Sequence, residues 1–194
     1  MEVVEAKVEI KVEAPAMTPA ENPLDWIDDN QEQRYLMAML LRIGHGIGLE
    51  NYIRKNPCSF IGENYFINGA RQHAEVLMQH LREPDLEAVE RTVAYTLKDV
   101  KNFDPTITFK VNKVSVNRND PEFLNYLLAA SYRLCGIQYY HEALERDLES
   151  NRHMGPGLFK RAFVDEFYMI VEIISDPVKN RRHVLDMIND VFKS

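Results

Sequence analysis

Residues 2–13 alternate with a period of two: Val4, Ala6, Val8, Ile10 and Val12 fall on one face, and Glu5, Lys7, Glu9, Lys11 and Glu13 on the other. Successive side chains of a strand point to opposite sides, so the pattern predicts a strand with one apolar flank. Residues 14–23 carry Pro15, Pro19 and Pro23 and no periodicity, which predicts an extended linker. The expected organisation is a β arm with its proline-rich linker over 1–22 and a helical domain over 23–194.

Beyond Pro23 the apolar spacing becomes helical. Asn22-Pro23, Glu83-Pro84, Asp120-Pro121 and Asp176-Pro177 each place a polar or acidic residue before a proline. A proline at the first helical position loses no hydrogen bond, and Asn or Asp before it can accept from the free N–H groups of the first turn, so the four pairs predict helix starts. A first helix is expected over 23–43, with Leu36, Leu40 and Ile43 inward, ending at Gly44. A short piece over 49–55, closed by Pro57, follows. The next helix, 63–81, carries Phe66, Ala70, Val76, Leu77 and Leu81 on its core side. Another, 84–100, spaces Leu86, Val89, Val93, Leu97 and Val100 by threes and fours.

Residues 106–116 break the pattern. Ile107, Phe109 and Val111 alternate with Thr108 and Lys110, and the phase slips at Asn112 and Lys113, as in a hairpin or bulged strand. From Pro121 the chain is apolar nearly all round through Tyr140, which predicts a central core helix, amphipathic afterwards through Leu144 and Leu148. Gly155-Pro156-Gly157 separates it from a dense apolar helix carrying Leu158, Phe159, Phe163, Phe167, Ile170, Ile173 and Ile174. A last helix from Pro177 carries Val178, Leu185, Ile188 and Val191. The expected fold class is mainly α: a bundle of about six helices with a small β element formed by the N-terminal arm and residues 106–116.

Composition fits this picture. With 194 residues, 45% of them apolar, the chain can bury roughly 70% of its unfolded surface and needs no disulfide or metal staple. A net charge of −7 opposes a nonspecific hold on nucleic acid or on an anionic membrane, both of which need a dominant basic field. Cys58 and Cys135 are too few for a disulfide framework and read as buried thiols in a reducing compartment. No 18-residue apolar run and no basic-then-apolar leader occurs, so a cytoplasmic protein without a membrane partner is expected.

Candidate chemistry is sparse. Di-metal bundles present Glu with His three residues on, and no such pair occurs. The nearest metal-ligand candidates are His141 with Glu145 and Glu149 with His153, each pair one turn apart, joined by Glu142. Gly44-His45-Gly46-Ile47-Gly48 follows a helix and lacks the lysine of a phosphate loop, so it reads as a helix end with a flexible connector. Lys179, Arg181 and Arg182 form the densest local positive charge. The Met residues and Trp26 read as core and anchor. No cofactor is expected.

The arm is the most informative feature. A lone strand with one apolar face is not stable in water, so it must pair with something. Val4, Val8, Ile10 and Val12 could lie beside Ile107, Phe109 and Val111 within one subunit. Alternatively, the linker could carry the arm to a second copy or to another protein, where main-chain hydrogen bonds add it to an open edge. These seven residues are the partner-binding candidates. The expected function is a structural or interaction protein: an adaptor, assembly factor or shell component of a larger complex, a viral one among them. The alternatives are a metal-dependent all-α enzyme using His141, Glu145, Glu149 and His153, and an accessory protein holding nucleic acid through Lys179, Arg181 and Arg182.

Overall fold

The structure is a computed structural model that describes residues 22–27, 30–56, 59–62, 64–87, 89–91, 119–146 and 157–192; for residues 141–146 and 192 the description is of the backbone alone. The described chain is mainly helical. A 3-10 turn, Pro23–Trp26, precedes α1 (Gln31–Lys55), α2 (Tyr65–Arg82), α3 (Glu122–Arg146), α4 (Leu158–Ser175) and α5 (Arg181–Phe192). No strand occurs among the described residues, so the expected β element finds no support there. The arm up to Glu21 and residues 106–116 lie outside the described residues.

Local chemistry explains most boundaries. Asn22 accepts from the Leu24 N–H and leads Pro23 into the 3-10 turn. That turn is all that Asn22-Pro23 starts. The long helix begins at Gln31, where the Asn30 carboxamide accepts from the N–H groups of Glu32 and Gln33. Two other proline signals are also displaced. Pro177 opens a turn over residues 177–180, and the final helix starts at Arg181. Asp85, rather than Glu83, caps the helical residues 86–87, its carboxylate accepting from the Glu87 N–H.

The expected break at Gly44 is absent: α1 runs unbroken through Gly44, Gly46 and Gly48 to Lys55. Packing on two sides explains two of the three glycines, Gly44 and Gly46. A methyl group at Gly44 would overlap the Ser131 carbonyl oxygen and the Cys135 sulfur of α3. One at Gly46 would come within 3.3 Å of the Ala70 Cβ on α2. At these two glycines α3 and α2 press closely on α1, and the packing gained offsets the roughly 1 kcal/mol each costs in helix propensity.

Helix α3 is the hub. It packs against α1, α2, α4 and α5, which accounts for its nearly unbroken apolar sequence: residues 124–132 are buried without interruption. The core gathers Leu40, Leu41 and Ile43 of α1, Leu127 and Leu134 of α3, and Phe163, Phe167 and Ile170 of α4. Each such side chain stabilises the fold by about 1.5–3 kcal/mol. Trp26 anchors the N-terminal turn, its ring meeting Phe163 edge-on at 5.3 Å with the Lys160 ammonium 5.2 Å above it.

Several residues expected in the core are exposed: Val76 and Leu81 on α2, Leu86, Leu158 and Met169, Val178 in the turn before α5, and Leu185 on α5. On α2 the interior is filled by Ile67, Ala70, Ala74 and Leu77, which leaves Val76 and Leu81 outside the buried stripe.

Candidate functional site

Helices α1 and α2 run antiparallel in a regular register. Tyr35 lies against His80, their ring centroids 4.1 Å apart. Arg42 faces His73. Gly46 faces Ala70, and at the far end Glu50 meets the first turn of α2. Glu50 is only 3% exposed. Its carboxylate accepts from the N–H groups of Asn64, Phe66 and Ile67 at 3.0, 3.1 and 3.3 Å, and from Arg54 Nε at 3.2 Å. Asn64 itself has φ 64° and caps nothing with its side chain, which instead accepts from Arg54 at 2.9 Å. A buried carboxylate on α1 therefore closes the N-terminus of α2, satisfying donors that carry partial positive charge.

Three exposed aromatic side chains lie in this part of the chain. Tyr52 projects from the last turns of α1, Tyr65 from the first residue of α2, and Phe60 from the connection between them. All three are exposed, Phe60 to 93% and Tyr65 to 65%. Large exposed aromatic rings are the composition that protein interfaces favour. Pro57 and Gly62 bracket Phe60 in the sequence, and a lone aromatic between two breakers is the signal that periodicity alone passes over.

Two polar groups of sites lie in the interior. Between α1 and α3, Asn51 donates to the Tyr132 hydroxyl at 3.1 Å, and His45 is hydrogen-bonded to Gln138. His45 is half-buried, and loss of hydration there pushes its pKa down to about 4, against the hydrogen bond with Gln138. Between α3 and α4, Arg133 pairs with Glu166 at 2.9 Å. Burial pushes the Glu166 carboxyl above its ordinary value against the pull of Arg133, and burial with the nearby Glu166 charge pushes the Tyr126 phenol up.

The sequence candidates fare differently. Val4, Val8, Ile10, Val12, Ile107, Phe109 and Val111 lie outside the described residues. Glu149 and His153 do as well, while His141 and Glu145 ride on the last turns of α3 with their side chains undescribed. No group of three or more His, Cys, Asp or Glu placed to hold a metal ion occurs among the described residues. Lys179, Arg181 and Arg182 come together at the start of α5. Arg181 forks onto Glu122 at the start of α3, with contacts of 3.2 and 3.4 Å, and Arg182 reaches Asp186 at 3.9 Å. Two of the three cations thus face carboxylates.

Fold and surface define a helical bundle with an exposed aromatic end. Comparison with known proteins finds no matching family model, no matching curated protein and no matching solved structure. No described helix is long and apolar enough to cross a membrane.

Proposed function

We propose that this chain is a structural or interaction protein that associates with a second copy of itself or with another subunit of a complex through its N-terminal arm. The period-two pattern of residues 2–13 carries the reading: five apolar side chains on one flank of a short strand are stable only against a neighbouring backbone and a greasy surface. The exposed rings of Tyr52, Phe60 and Tyr65 support it, because they give the helical body a surface suited to protein contact.

The arm is separable in principle from the bundle, whose described core starts at Pro23 and Leu24. Removal of residues 1–22 is expected to lower the assembly state, or to abolish capture of the partner, while far-ultraviolet circular dichroism keeps its helical signal. Native mass spectrometry of the full chain and the truncated chain reads the outcome. An unchanged mass distribution in a protein that is folded and assembled would refute the reading.

A further inference from the structure

Three of the six histidines, His45, His73 and His80, sit where α1 meets a neighbouring helix, and two of them line one side of α2 seven residues apart. His80 has a geometry that only one protonation state satisfies. Its Nδ1 accepts the backbone N–H of Asp85 at 3.3 Å, which ties the turn after α2 to the ring, and the ring lies on Tyr35. A proton on Nδ1 turns that acceptor into a donor aimed at another donor. His73 faces Arg42 across the seam, so its protonation sets two cations against each other.

The apolar hold on this side of α2 is modest. Its buried residues are Ile67, Ala70, Ala74 and Leu77, and the two alanines bring the helices close but bury little area. Glu50 holds the first turn of α2 and nothing comparable among the described residues holds its last, so partial opening costs least from the His80 end.

We propose that the α1–α2 seam is an acid-sensitive contact, in which proton uptake by His73 and His80 below neutral pH loosens α2 and the turn that follows it while α3, α4 and α5 stay packed. The charged neighbours act in both directions. Glu32 of α1 and Asp85 of the turn draw a proton toward His80, burial resists it, and burial prevails; at His73 burial and Arg42 act together. Both rings are therefore held neutral in the closed seam and gain a proton more readily in the open one, so lower pH favours opening. The consequence for the molecule is a surface at the C-terminal end of α2 that changes with acidity, at the end of the helix opposite Tyr65.

Hydrogen exchange of the full-length protein at pH 7.5 and pH 5.5, corrected for the intrinsic rates, reads this directly. Exchange over 65–82 is expected to quicken relative to that over 158–175, by at most about tenfold per pH unit for each proton taken up. In a His73→Gln, His80→Gln double variant, where neither side chain titrates, the extra sensitivity of α2 should vanish. Parallel behaviour of the two helices in the unaltered protein would overturn the proposal without any variant, and so would a double variant that keeps the full pH response.

Discussion

Glu50 does for α2 what its own Asn64 does not. Removing the carboxylate leaves the N–H groups of Asn64, Phe66 and Ile67 and the Arg54 guanidinium without their acceptor. Glu50→Ala is expected to cost about 2–3 kcal/mol in urea unfolding, and Glu50→Gln less because one oxygen stays to accept. His45 gives a second residue-level expectation. Its pKa is about 4 in the folded chain and 6.5 in the unfolded one, so the unfolded state binds more protons between those values. The stability it supports is fully present above pH 6.5 and is lost as pH falls toward 4, about 3 kcal/mol in all. A His45→Gln variant should show a shallower fall of stability across that window than the unaltered protein, as measured by urea midpoints at each pH.

At the scale of the element, the glycines of α1 and α3 separate propensity from packing. Alanine is the better helix former by roughly 1 kcal/mol wherever there is room for its methyl group. At Gly136 of α3 nothing lies within 4 Å of that methyl, so Gly136→Ala is expected to raise stability by about 0.5–1 kcal/mol. At Gly44 the same change drives a carbon into the Ser131 carbonyl and the Cys135 sulfur, and overpacking of about 1–3 kcal/mol should outweigh the propensity gain. Thermal unfolding of the two variants side by side checks the opposite signs. An equal shift in both would mean that α1 and α3 do not approach as closely as the structure has them.

At the scale of the molecule, the charges at the start of α5 bear on nucleic acid. Arg181 and Glu122 join α5 to α3 in water, where solvent screening leaves such a pair little to contribute to stability. Arg181→Ala should therefore leave the fold intact, as read by circular dichroism. A basic face used for nucleic acid would announce itself through binding that weakens steeply with salt and drops in an Arg181→Ala, Arg182→Ala double variant. The association proposed for the arm predicts no such salt dependence, because its contacts are main-chain hydrogen bonds and apolar side chains.

The sequence by itself determined that the described chain is helical, which helix lies at the centre, and which aliphatic and aromatic residues build most of the core, because a period of 3.6 and a helix apolar all round follow from burial alone. Leu40, Phe163, Phe167 and Ile170 needed nothing further to be placed inside. Only the tertiary structure decided that α1 continues through three glycines, that Glu50 closes another helix from fourteen or more residues away, and that Tyr52, Phe60 and Tyr65 share one end. Those features depend on what a neighbouring helix places opposite each residue. A glycine is a breaker against solvent and a contact surface against another backbone, and local sequence does not record which of the two it will meet.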